Sequence, residues 1–152
     1  HIGSPEATDA LVVALRSPHE GMPGHAAFCL GVAGGTRALE ALLATARRDG
    51  GAETLELARE AVRALGRMGR SEAVPVLAEL LERRSLLRRR RLVEFQLAVV
   101  DALAKLPGDA ARAALEQATR RGNAGVRKAA QQALGRLGST ADEGAASQLA
   151  DT

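Results

Sequence analysis

The stretch Ala61-Val62-Arg63-Ala64-Leu65-Gly66-Arg67-Met68-Gly69 decides how this chain is read, because versions of it return three times. Ala133-Leu134-Gly135-Arg136-Leu137-Gly138 is nearly a copy. Ala102-Leu103-Ala104-Lys105-Leu106-Pro107 is looser, and Cys29-Leu30-Gly31-Val32-Ala33-Gly34 is the loosest. A unit that recurs at near-constant spacing is the signature of a repeat architecture, in which each unit completes its core only by stacking on its neighbours.

Working outward from Leu65, the anchors Leu30, Leu65, Leu103 and Leu134 are separated by 35, 38 and 31 residues. Twelve residues after the first three lie Leu42, Leu77 and Leu115. Eight before each anchor lie Met22, Leu57, Phe95 and Val126, and one before lie the small residues Cys29, Ala64, Ala102 and Ala133. Leu11 precedes Leu30 by the same distance as Leu115 precedes Leu134, which puts Leu11 in the first helix of the first unit. The offsets hold within units, so the varying intervals are absorbed by loops.

Composition points to helices. Hydrophobic residues make up 46% of the 152, enough for a core, yet Trp and Tyr are absent and only Phe28 and Phe95 are aromatic. The core must then be built from Ala, Leu and Val; Ala is the best helix former, and strand-favouring residues are scarce. Local signals mark eight helices. Ser4-Pro5-Glu6 offers a hydroxyl cap, a proline at the first helical position and an acid in the first turn. Ser17-Pro18 and Gly21 to Gly24 separate the first helix from a second over about 24–32. Gly34-Gly35, Asp49-Gly50-Gly51 and Gly69 bound a third helix and a fourth over 52–68. Ser71 is expected to cap a fifth, with Pro75 tolerated in its first turn. A sixth begins within Arg83–Arg91 and ends near Leu106-Pro107-Gly108. Asp109 opens a seventh, and Gly122 to Gly125 turns into the eighth.

Asn123-Ala124-Gly125-Val126-Arg127 followed by Ala130, Ala133 and Leu134-Gly135 resembles the short bacterial HEAT-like, or lyase-type, repeats, whose pattern reads Asp-x-x-Val-Arg, Ala, Ala-Leu-Gly. The other units depart from it, reading Leu57-Ala58, Phe95-Gln96 and Met22-Pro23 at the Val-Arg position. The resemblance spans about 5–138. It implies an all-α α-solenoid: a right-handed superhelix of about four antiparallel helix pairs, with second helices lining a concave surface where partners commonly bind. The expected organisation is residues 1–4 as a leader or cloning scar, a repeat domain over 5–138 (repeats about 5–34, 35–69, 70–107 and 108–138), and a partly disordered tail over 139–152, which is short of large apolar residues. Where a fifth unit would place a leucine, the chain has Ala146.

Charge is unevenly placed. The net charge is +3, but residues 1–76 carry 8 basic and 9 acidic side chains while 77–138 carry 13 and 6. Six arginines lie in one run: Arg83, Arg84, Arg88, Arg89, Arg90 and Arg91. They could grip phosphates, an acidic protein or an anionic membrane surface. The plainer reading is a solvated loop and first helical turn with Leu86 and Leu87 tucked in. Cations at a helix start oppose the helix dipole, so Glu82, Glu94 or a ligand should offset them. A second cationic set follows the anchors by two residues, Arg67, Lys105 and Arg136, with Val32 breaking it in the first unit. Cations also suit the last turn of any helix. Arg63, Arg127, Lys128 and Gln132 are placed on the same inner face, mixed with Glu56, Glu60 and Asp101, a mixture that suits a protein better than nucleic acid.

Catalytic and metal chemistry find little footing. His25 and Cys29 are one helical turn apart, with His19 near, but Cys29 holds a position that packing fills with Ala elsewhere. Gly31 to Thr36 is glycine-rich, yet it lacks the strand before it and the Lys after it that a phosphate loop needs. No nucleophile and base pair up, so no catalytic residue, cofactor or metal is assigned and no enzyme activity is expected. One cysteine excludes an intrachain disulfide and fits a reducing, cytoplasmic setting. No apolar run reaches the roughly 20 residues of a membrane span. The leading expectation is a non-enzymatic interaction or scaffold module that binds a protein through its concave face. Two alternatives stand beside it. One is phosphate-backbone binding of nucleic acid through Arg83–Arg91 and the basic edge, without the aromatic platforms that single-strand binders or base-flipping enzymes use. The other, which only the resemblance suggests, is an accessory role to a lyase-type enzyme.

Overall fold

A computed structural model describes residues 3–150. It contains α1 (Pro5–Ala14), α2 (Met22–Ala33), α3 (Gly35–Ala46), α4 (Ala52–Met68), α5 (Val74–Leu81), α6 (Arg89–Lys105), α7 (Asp109–Arg121) and α8 (Ala124–Ala150), with no strand among the described residues. The helices form two layers. In one, α2 packs on α4, α4 on α6 and α6 on α8; in the other, α1 lies by α3 and α5 by α7, each also packed on the second helix of its own pair. This is the α-solenoid that the repeat implies.

The anchors carry the core. Leu30, Leu65 and Leu103 are fully buried, as are Leu42, Leu77 and Leu115 twelve residues on. Leu134 is only half-buried, because no further pair among the described residues lies against α8. Eight residues before the anchors, Phe95 and Val126 are buried and Leu57 half-buried, whereas Met22 is exposed at the start of α2. The position therefore belongs to the core only where a preceding pair covers it.

Small residues set the spacing of the second-helix layer. A Cβ on Gly31 would lie 2.9 Å from Ala64 Cβ and 3.1 Å from its Cα; one on Gly66 would lie 3.1 Å from Ala102 Cα. Glycine one residue after an anchor thus receives the alanine one residue before the next, and backbones approach to near contact. At Gly135 a Cβ would meet nothing within 4 Å, since no helix among the described residues packs on that side of α8.

Helix ends follow their local chemistry, with exceptions. Ser4 Oγ accepts from Ala7 N at 3.1 Å, and Gly69 stops α4 in the left-handed region at φ +65°. Ser71, expected to cap α5, makes no such bond; Ser71–Ala73 forms a 3-10 turn, and Arg70 bonds Glu72 at 2.7 Å. That hydrogen bond and the nearby guanidinium hold the Glu72 carboxyl below its ordinary range. The tail also differs from expectation: α8 continues to Ala150, although every residue from Ser139 to Leu149 is exposed. Ala141, Glu143, Ala145, Ala146, Gln148 and Leu149 favour this extension, whereas Gly138, Ser139, Thr140, Asp142 and Gly144 weaken it. Residues 1–2 of the expected leader and residues 151–152 of the expected tail lie outside the described residues.

Candidate functional site

Two surfaces collect the polar residues singled out by the sequence. The first is the exposed face of the second-helix layer, called here the ladder face. Arg63, Arg67, Lys105, Lys128, Gln132 and Arg136 are all exposed. Three acids of this face are paired within their own helices: Glu56 with Arg59 at 2.6 Å, Glu60 with Arg63, and Asp101 with Lys105 at 3.1 Å. Arg67 has a different partner, its guanidinium carbon lying 4.6 Å from the centroid of the Phe28 ring on the neighbouring α2. Phe28 is 49% exposed and Val32, one turn on, 58%; Leu97 on α6 is exposed on the same layer. Among the described residues no ion pair forms at Lys128 or Arg136. Arg127 is exposed but shares its register with the buried Ala58 and Gln96. It therefore belongs to the side of α8 that earlier pairs turn into the stack, rather than to the ladder face.

The second surface is the edge formed by the turns within helix pairs. The Arg83–Arg91 segment does not behave as one charged patch. The Arg83 guanidinium donates to the Arg47 carbonyl and the Arg88 guanidinium to the Gly50 carbonyl, both in the α3–α4 connection. Arg90 pairs with Glu94 at 3.4 Å, which partly meets the expectation of an offsetting acid, whereas Glu82 makes no ion pair with the run. Arg84, Arg89 and Arg91 remain exposed with no side-chain partner among the described residues. The loop is further fixed from beneath. Gln96, nearly fully buried, donates from Nε2 to the carbonyls of Leu81 at 3.0 Å and Arg83 at 3.1 Å, and its Oε1 accepts from Asn123 Nδ2 at 3.2 Å. The leucines are not tucked in: Leu86 is 99% and Leu87 98% exposed. With both ends of the loop stitched to backbone carbonyls, residues 84–87 are pushed outward.

A model of the PBS lyase HEAT-like repeat matches residues 57–83. The chain carries a HEAT-like repeat. The matched segment spans most of α4, the Gly69 turn and α5, and it stops at Arg83, where the interval-lengthening segment begins. The arginine–leucine loop is thus an addition beyond the HEAT-like match. A search of curated proteins finds no match to the chain.

The remaining sequence candidates have local explanations. His25 Nδ1 bonds the Gly21 carbonyl at 2.8 Å, Cys29 is half-buried, and no group of three His, Cys, Asp or Glu among the described residues could hold a metal ion. No helix among the described residues is long and apolar enough to cross a membrane. Phe28 escaped the sequence reading as a surface residue. Its signal was available: it lies two residues before its anchor, the offset occupied by Arg63, Asp101 and Gln132 in the other units.

Proposed function

We propose that this HEAT-like protein is a non-enzymatic interaction module that holds a segment of another protein along the ladder face. The observation that carries the reading is the uncovered Phe28–Arg67 pair beside Val32. A large aromatic and a valine left open to solvent, with a guanidinium over the ring, form a compact apolar anchor point with a cation attached. Aromatic and Arg side chains are the residues that dominate binding energy at protein interfaces. Because Glu56, Glu60 and Asp101 are already neutralised by their own helices, the cations left over are Arg67, Lys128 and Arg136. The segment that fits is extended or helical, with an apolar residue at the Phe28 end and acidic residues toward α8.

The test is site-directed photocrosslinking in the native cell from Gln132 and Arg63 on the ladder face, with Ala44 and Arg112 as controls on the opposite layer. A discrete protein adduct is expected from the ladder positions, absent from the controls and lost when Phe28→Ala and Arg67→Gln are combined. Adducts of equal yield from both layers, or an adduct insensitive to the double substitution, would remove the reading.

A further inference from the structure

We infer that the edge carrying the within-pair turns is a docking surface for an anionic lipid bilayer, with Leu86 and Leu87 as its inserting tip. Four connections make this edge: 15–21, 47–51, 82–88 and 122–123. They adjoin in space. Arg16, His19, Arg48 and Glu53 line one cleft; Arg83 and Arg88 bond the carbonyls of Arg47 and Gly50; and Glu82 shares a cleft with Arg121 and Gly122. Eleven of the nineteen arginines lie in these connections or within three residues of them, against five acids. The whole chain has a net charge of only +3, so its positive charge is gathered here.

Charge alone would suit any polyanion. The leucines decide between them. Two adjacent leucines at the tip of a convex loop, uncovered on every side, contribute nothing to gripping a phosphate backbone, and no Tyr or Trp is present to stack on a base. A bilayer interface takes both elements together: its apolar layer receives the leucine side chains, and its headgroup phosphates lie at the level of Arg84, Arg89 and Arg91, whose side chains have no acid partner among the described residues. Two adjacent side chains that are each exposed almost completely are covered together more readily by a fluid layer than by a rigid pocket. Val13 and Met22, exposed at the α1–α2 end of the same edge, extend the apolar contact. Arg83 and Arg88 hold the loop in its protruding form and are structural. The ladder-face residues Val32, Arg67 and Lys105 lie at the opposite ends of their helices, so a docked protein would still present them to a partner.

The experiment is flotation of the full chain with vesicles of phosphatidylcholine alone and with about 30% phosphatidylglycerol, at low and high salt. Two variants are compared, Leu86→Ser with Leu87→Ser, and Arg84→Gln with Arg89→Gln and Arg91→Gln. All five positions are exposed, and circular dichroism confirms that the fold is kept. The parent chain is expected to float with the anionic vesicles only. The arginine variant should lose on the order of a hundredfold in partitioning at low salt, and the leucine variant at least about tenfold at both salts. Absence of binding to anionic vesicles at low salt overturns the inference. So does a leucine variant that floats like the parent, which would leave a plain basic surface. Duplex DNA measured in parallel covers the other polyanion: binding to DNA that ignores the leucines, with vesicle binding no stronger, assigns the edge to nucleic acid instead.

Discussion

At the scale of single residues, the contrast among glycines gives the sharpest test of the stacking scheme. Gly31, Gly66 and Gly135 occupy the same offset, yet only the first two face a neighbouring helix at contact distance. Gly66→Ala forces a methyl against the backbone of Ala102; overpacking of this kind costs about 1–3 kcal/mol, and the helix-propensity gain of roughly 0.5–1 kcal/mol offsets part of it, leaving a net loss. Gly135→Ala meets open space inside a helix and should stabilise by roughly 0.5–1 kcal/mol, the helix-propensity difference. Opposite signs of the change in urea midpoint are expected; equal signs would mean that the glycine is not a spacing device. The buried anchors allow a second check. Leu65→Ala and Leu103→Ala each remove a fully buried side chain and should cost about 2–5 kcal/mol, while Leu134→Ala, half-buried, should cost clearly less. A flat response across the three would break the assignment. Much of this was legible in the chain, because a leucine at a fixed offset in every unit can satisfy that pattern only by pointing into a shared core. What could not be read was how far α8 is covered, and so whether Leu134 and Gly135 lie open.

Between elements, the connection of α5 to α6 depends on one polar side chain. Gln96 occupies a position that is alanine in α4 and is nearly as buried as that alanine. It is tolerated because its amide satisfies carbonyls left free at the end of α5, and it links them to Asn123, whose Oδ1 in turn accepts from Val126 N at 3.0 Å at the start of α8. Gln96→Leu keeps the volume but leaves these groups without their partner, at a cost of about 1–3 kcal/mol. Asn123→Ala removes both the link and the cap, at about 0.5–2 kcal/mol for the cap alone. The double variant should be less destabilised than the sum, since each change breaks the same bond; strict additivity in denaturant melts would show the two amides to be independent. Sequence reading found Gln96 only as a departure from the repeat pattern. It also placed Leu86 and Leu87 inside, because apolar pairs between charged residues ordinarily fold under. The outward loop depends on Arg83 and Arg88 reaching carbonyls more than thirty residues back, and no periodicity reports such a contact.

Across the whole molecule, stability should follow position in the stack. Helices α4 and α6 have second-layer neighbours on both sides, whereas α2 and α8 have one each among the described residues and residues 139–149 of α8 are all exposed. In a solenoid the free energy of opening is a sum of pair and interface terms, so opening proceeds from the ends. Native-state amide exchange should therefore be graded. The Ser139–Leu149 segment should exchange first, since a helix without a packed face is marginal in water. The outer pair α1 and α2 should follow, and the amides around Leu65 and Leu103 should exchange last, at rates close to those of global unfolding. The same gradient bears on the two proposed surfaces. The basic edge is anchored by Arg83, Arg88 and Gln96 on the inner pairs, where opening is rarest, while the ladder face extends from Phe28 on α2 to Arg136 on α8 and includes both ends. A partner lying along the full ladder face would join the outer pairs to the inner ones and raise protection in α2 and the packed part of α8 together. Vesicles engaging the edge loop should instead slow exchange around residues 84–91 and leave the ends as they were. If protection in the free protein is uniform and lost in one step, the ends are not independent and this separation of the two surfaces fails.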